Sequence, residues 1–202
     1  MKTKIGVFSG TFDPVHTGHV AFALQAIETC ALERVIFLPE KSPRVKTPTA
    51  FTHRLAMLQS ALNSQTGLSL ELLSTDQFDV AQTLPELAAL LPGKRLVFLL
   101  GSDVITTFSY RWPGLDVFLR SVDLAIGMRS QDSLQAVEKI LQDCALQYGI
   151  TPHYTIIPSP HAHLASTQIR QGTHLITDLD PAVAAYIRTH QLYADASGVV
   201  SK

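Results

Sequence analysis

Residues 5–19 read Ile5-Gly6-Val7-Phe8-Ser9-Gly10-Thr11-Phe12-Asp13-Pro14-Val15-His16-Thr17-Gly18-His19, and this stretch decides the fold. Ile5 to Phe8 is a short apolar run with a β-branched bias, long enough for one buried strand. Gly10 breaks the run, and Asp13-Pro14 is a turn signal. From Thr17 onward Val20, Ala21, Ala23, Leu24 and Ile27 recur at helical spacing, with Thr17 placed as an N-cap. Strand, glycine-containing loop and helix start therefore follow one another, with His16 and His19 at the mouth of the helix. A helix start presents unpaired N–H groups and the positive end of the dipole, which suits an anion. Gly10 lets backbone approach that anion closely, and the two histidines can donate hydrogen bonds to it. The expectation is a phosphate site near the N-terminus.

Working outward, Arg34 to Pro39 is a second strand, and strand-helix-strand within about forty residues is a βαβ unit with parallel pairing. Further strands are expected at Leu68–Leu72, Arg95–Leu100, Val122–Gly127 and His153–Ile157, with Arg95–Leu100 the most apolar and central. Helical patterns cover Phe51–Leu62, Gln82–Leu91 and Leu134–Leu146, and Pro181 opens a last one. The fold class is α/β, a Rossmann-like doubly wound parallel sheet of five to six strands with a C-terminal helical part. One domain spans 1–202, and residues 193–202 read as a flexible tail. Apolar content of 46% and charged content of 16% describe an ordinary globular chain, and a formal net charge of −1 gives no pull toward nucleic acid or an anionic membrane. Cys30 and Cys144 lack metal-ligand spacing and read as buried, reduced thiols, so a cytoplasmic protein is expected. The N-terminus runs straight into a strand, leaving no room for a signal peptide, and no apolar run reaches spanning length.

Four further stretches carry chemistry. Glu40 to Pro48 is a two-proline loop with three cations on the carboxyl side of the second strand, where α/β ligands bind. Gly101-Ser102-Asp103 follows the central strand; Asp103 reads as a ribose hydroxyl acceptor, or Ser102 or Asp103 as the cap of the next helix. Ser166 or Thr167 starts a helix that also carries Arg170, bringing a hydroxyl and a cation to one turn. Trp112, the only tryptophan, lies in a polar, proline-ended loop and suits stacking on a planar ring. His161-x-His163 lacks a third ligand, so no protein-held metal is expected there.

Gly10-Thr11-Phe12-Asp13-Pro14 followed by His16-x-Gly18-His19 resembles the signature of the HxGH nucleotidyltransferase superfamily. Ala165-Ser166-Thr167-x-Ile169-Arg170 is similar to its second signature, with alanine for the first serine. The ending Pro181-x-Val183-x-x-Tyr186-Ile187 with Leu192-Tyr193 matches the nicotinate-mononucleotide adenylyltransferases of bacteria, and the likeness spans residues 4–193. That resemblance implies adenylyl transfer from ATP to a pyridine mononucleotide, releasing pyrophosphate, in NAD biosynthesis. It assigns catalysis to His16, His19 and Arg170. ATP contacts fall to Gly10, Thr11, Phe12, Gly18, Gly101, Asp103, Ser166, Thr167 and one of Arg44 or Lys46. Acceptor contacts fall to Arg54, Asp79, Val80, Thr83 and Trp112, and Mg2+ is expected on the ATP phosphates. Phe78-Asp79-Val80 stands where the family usually has Ser-Tyr-Thr, which leaves nicotinamide mononucleotide or another phosphorylated acceptor open. A non-catalytic nucleotide-binding module is the reading from another class, and the sequence leaves a homo-oligomer open.

Overall fold

Side chains alternate along each central strand between two apolar layers, so both faces of the sheet are covered. Ile5, Val7, Ile36, Leu38, Phe98, Leu100, Leu124 and Ile126 belong to one layer, while Phe8, Val35, Phe37, Val97, Leu99 and Ala125 belong to the other. Strands buried on both faces are the mark of a parallel sheet wrapped by helices. The structure is a computed structural model and describes residues 2–43, 47–129, 132–158, 166–171 and 178–193.

The strands are β1 Lys4–Gly10, β2 Arg34–Pro39, β3 Leu68–Leu70, β4 Arg95–Gly101, β5 Asp123–Gly127 and β6 Tyr154–Ile157. They form one sheet in the order β3-β2-β1-β4-β5-β6, every pairing parallel. The helices are α1 Thr17–Cys30, α2 Phe51–Leu62, α3 Val80–Leu90, α4 Ser102–Thr106, α5 Leu115–Ser121, α6 Leu134–Tyr148, α7 Ser166–Arg170 and α8 Pro181–Thr189. Phe22, Met57, Leu58, Val183 and Ile187 bring α1, α2 and α8 to one face; Leu84, Leu87, Phe118, Val137 and Leu141 bring α3, α5 and α6 to the other. The chain winds outward from β1 through β2 and β3, then returns to β4 and winds the opposite way. A crevice opens outside the carboxyl ends of β1 and β4, at that reversal.

Four local expectations are corrected. The N-cap of α1 is His16, not Thr17, whose hydroxyl instead donates to the main-chain oxygen of Asp178 at 3.0 Å. The third strand stops at Leu70, two residues short of the expected end. Neither Ser102 nor Asp103 caps α4; Gly101 holds that position, and the buried Ser102 hydroxyl bridges the Arg129 N–H at 2.8 Å and the Asp132 carboxylate at 2.5 Å. Tyr193, expected to open a flexible tail, is anchored to Asp13. Among the described residues, no helix is long and apolar enough to cross a membrane.

Candidate active site

The loop leaving β1 builds the site. Gly10 ends the strand, and Phe12 adopts a left-handed backbone (φ 49°) that few non-glycine residues take. That turn sends the Phe12 ring inward, where it meets Phe8 at 5.4 Å, Phe37 at 5.4 Å and the His19 ring at 5.3 Å. Phe12 is therefore mainly a prop behind His19. The His16 N–H donates to His19 Nδ1 at 3.2 Å, which places the proton of a neutral His19 ring on Nε2. The two imidazoles lie 3.7 Å apart, centroid to centroid, at the start of α1.

A cavity of about 290 Å³, the more polar of two that adjoin, opens over these rings. Gly10, Thr11, Gly18, His16 and His19 line it from the β1–α1 side, and Gly101, Asp103 and Arg129 from β4 and β5. Ser166, Thr167 and Arg170 of the five-residue α7 close the remaining side. The Ser166 hydroxyl donates to the Pro14 main-chain oxygen at 2.9 Å, and Arg170 Nη1 donates to that of Asp13 at 2.6 Å. Residues from the two ends of the sequence thus share one wall. Arg129 Nε lies 3.5 Å from Asp103 Oδ1 on the opposite rim, a solvated pair worth little to stability.

A second, largely apolar cavity of about 570 Å³ adjoins the first, and both are lined by Ser9, Gly10, Thr11, Leu100 and Val104. Its far wall is aromatic: Phe78, Phe98, Trp112 and Phe118. Trp112 packs edge-on against Phe108 at 4.9 Å and Phe118 against Phe98 at 4.9 Å, which fixes the rings while a flat ligand could slide between them. Val80 and Asp79 complete the rim. Asp79 is the N-cap of α3; Oδ1 accepts from the N–H groups of Ala81 and Gln82 at 2.9 and 3.2 Å.

Two residues expected against the acceptor lie elsewhere. Arg54 is 0% exposed and lines neither cavity. Its guanidinium donates to four main-chain oxygens, those of Thr49 (2.9 Å), Thr11 (2.7 Å), Glu40 (2.8 Å) and Lys41 (2.9 Å). Burial pushes its pKa below the ordinary guanidinium value, and Asp13, Tyr193 and Glu40 pull it back up. Amphipathic spacing alone left the inward or outward direction of this side chain open. Thr83 is 1% exposed, and its hydroxyl accepts the Asp79 N–H at 3.0 Å beneath the cavity floor. Arg44, Lys46, His161 and His163 lie outside the described residues.

Sequence reasoning missed several lining residues. Arg129 had a usable signal, a cation just past a strand next to the central one. Asp13 was read only as half of a turn and a letter of the signature, yet the residue is 4% exposed and its carboxylate receives hydrogen bonds from Tyr193 and from the Thr49 amide. Glu40, which lines the aromatic cavity and accepts the Phe78 N–H at 3.2 Å, carried no signal beyond its place in a polar loop. Among the described residues, no three His, Cys, Asp or Glu side chains converge as metal ligands would.

Comparison with known proteins gives the same picture. Residues 7–172 match the cytidylyltransferase-like family. A protein of Neisseria meningitidis serogroup B, named "Probable nicotinate-nucleotide adenylyltransferase", is 31% identical over 94% of this chain and 98% of its own. A Bordetella avium protein of the same name is 29% identical over 96% of this chain and 99% of its own. Among solved structures, the Plasmodium falciparum nicotinic acid mononucleotide adenylyltransferase complexed with NaAD superposes with a TM-score of 0.76, at 20% identity over 95% of this chain and 98% of that one. At that identity the likeness speaks for the fold alone.

Proposed function

The chain belongs to the cytidylyltransferase-like family and, within it, to the nicotinate-nucleotide adenylyltransferases, and we propose that it joins ATP to nicotinate mononucleotide, giving the deamido dinucleotide and pyrophosphate. One observation carries this reading: the polar and the aromatic cavity meet along Ser9-Gly10-Thr11. A nucleotide in the first and a pyridine nucleotide in the second would bring the two phosphates together at that shared wall.

The acceptor's 5′-phosphate is largely dianionic at neutral pH, since its second pKa is about 6. It needs no general base. One of its oxygens attacks the α-phosphorus of ATP while the bond from that phosphorus to the β-bridging oxygen breaks in line. The enzyme's share is placement and neutralisation of charge. His19, with its proton on Nε2, and His16 donate to the phosphate being transferred, and Arg170 takes the developing charge on the leaving pyrophosphate. Gly10 and Gly18 keep side chains out of the path of the phosphates. Asp103 accepts from the ribose, and Trp112 with Phe78 and Phe118 flanks the pyridine ring. One of Arg44 or Lys46, in the loop after β2, reaches the triphosphate.

Magnesium fits this lining only as a passenger. Histidine and arginine N–H donors face the polar cavity, and the Asp13 carboxylate is already engaged by Tyr193 and Thr49. The ion would be held by phosphate oxygens and water, and when bound it screens charge on the triphosphate. Asp79 bears on the choice of acceptor. Two α3 amides neutralise part of its charge, so it disfavours a carboxylate on the ring less than a free aspartate would.

Pyrophosphate release from ATP and magnesium tests the proposal, with nicotinate mononucleotide, nicotinamide mononucleotide and phosphopantetheine as parallel acceptors and His19→Ala as control. Turnover with the nicotinate acceptor, cut at least about a hundredfold in the control, is expected. Preference for the amide would make Asp79 a specificity residue, and silence with all three would overturn the proposal.

A further inference from the structure

Tyr193 links the far end of the described chain to the β1–α1 loop. Its hydroxyl donates to Asp13 Oδ1 at 2.6 Å, while the Thr49 N–H donates to Asp13 Oδ2 at 3.1 Å. The carboxylate is shut off from water, so these donors take the place of solvent. Burial first, and then the neighbouring carboxylate, push the Tyr193 pKa far above the ordinary phenol value, so the group remains a donor at every working pH. Tyr193 itself lines neither cavity.

On the other side of Asp13 stands Arg170. Its Nη1 donates to the Asp13 main-chain oxygen at 2.6 Å but lies 4.0 Å from Oδ2, and Nη2 donates to the Thr167 hydroxyl at 3.1 Å. A guanidinium beside a carboxylate that can turn freely closes into a two-pronged pair. Here the gap exceeds hydrogen-bond reach. Tyr193 and the Thr49 amide each hold one of the two carboxylate oxygens, and Arg170 keeps a face toward the polar cavity. Arg54, the other cation that Asp13 feels, is committed to four main-chain oxygens.

We infer that Tyr193 is a positioning residue for Arg170: by holding the Asp13 carboxylate it stops Arg170 from collapsing onto that carboxylate and leaves the guanidinium available to phosphate. The inference rests on the reading of Arg170 as a phosphate-binding group. It makes the segment after α8 part of the working site, at one remove from the ligand. Without the phenol hydroxyl the carboxylate loses one of its two internal donors and is free to turn, and Arg170, 4.0 Å from Oδ2, is the cation placed to pair with it. Phosphate then competes with a buried carboxylate for the same guanidinium.

The test is a cycle of variants of the full chain, with ATP and magnesium as the probe and inorganic pyrophosphate as a second, both titrated by calorimetry. Tyr193→Phe should weaken ATP binding about tenfold in the wild-type background, the size of one charge-assisted hydrogen bond. In an Arg170→Gln background it should change binding less than about twofold, because the residue it acts through is gone. Asp13→Asn should restore most of the loss, since a neutral amide no longer draws the cation. Equal losses in both backgrounds, or a lowered melting temperature with unchanged ATP affinity, would make Tyr193 scaffold and overturn the inference. If Tyr193→Phe does not fold, Asp13→Asn is compared with the Asp13→Asn/Tyr193→Phe double variant. Equal affinities support the inference, and a further tenfold loss overturns it. Because these are affinities for ATP alone, they keep their meaning if turnover with a pyridine nucleotide is absent, which would instead sink the proposed reaction.

Discussion

Replacing Arg54 separates a structural clamp from a ligand contact. Four hydrogen bonds from one buried guanidinium join the loop after β1 (Thr11), the loop after β2 (Glu40 and Lys41) and the entry to α2 (Thr49). Each bond to a charged donor contributes roughly 1.5–3 kcal/mol, and a buried oxygen left alone costs about 1–3 kcal/mol. Desolvation of the guanidinium itself runs the other way, and the cavities let water reach some of the freed oxygens. The net for Arg54→Met is therefore set at about 4 kcal/mol, close to the 3–5 kcal/mol typical of stripping one partner from a buried ionic site. Arg54→Lys keeps the charge but has three donors on one atom and no planar fork, so about 2 kcal/mol is expected. Urea unfolding gives both values, provided the slope with denaturant is unchanged. Because Thr11 lines both cavities, KM for ATP and for the acceptor should rise together in Arg54→Lys. Unfolding within about 0.5 kcal/mol of wild type, with a rise in KM for the acceptor alone, would refute this reasoning. It would return Arg54 to the ligand-facing role that the family resemblance implied.

Other outcomes follow from the same geometry. His19→Ala should lower kcat by about 10²–10³, the range for one lost oxyanion donor, with KM for the acceptor little changed; steady-state kinetics decides. Trp112→Ala should weaken the pyridine acceptor up to about tenfold, the scale of one aromatic contact, while ATP affinity measured by calorimetry stays put. Asp79→Ala removes the α3 cap at a cost of about 1 kcal/mol in unfolding free energy and should shift the nicotinate-to-nicotinamide ratio of kcat/KM toward nicotinate. Burial pushes the Cys30 and Cys144 thiols above their ordinary value, so at pH 8 both stay protonated longer than free cysteine. A thiol reagent should modify them quickly only in denaturant.

The sheet was legible because its signals are local and repeated. β1, β2, β4 and β5 are apolar runs ended by glycine or proline, and the spacing between them admits only helical crossovers. Both cavities lie where a doubly wound sheet puts them, at the carboxyl ends of β1 and β4. Gly10, His16, His19, Asp103, Ser166 and Thr167 could be placed along one cavity because each sits at a strand end or helix start, positions whose backbone chemistry advertises an anion, and Arg170 because it ends the short helix that Ser166 opens. Arg54 and Thr83 could not, since amphipathic spacing does not say on which side of a loop a long or small polar side chain finds its partners. Asp13 was hidden for a different reason. Its partners Thr49, Arg170 and Tyr193 lie 36 to 180 residues away, and only tertiary packing brings them together. The capping of α1 by His16 rather than Thr17 has the same source, because Thr17 is drawn away by Asp178.

Direct transfer between two adjoining cavities is the central claim, and the stereochemistry at the α-phosphorus tests it most directly. A single diastereomer of the α-thio analogue of ATP would be turned over with nicotinate mononucleotide, and the configuration of the thio-dinucleotide determined by phosphorus NMR. One in-line displacement by the acceptor phosphate predicts inversion. Retention would mean two displacements through an adenylylated side chain, and would contradict an account in which His16, His19 and Arg170 only place and neutralise.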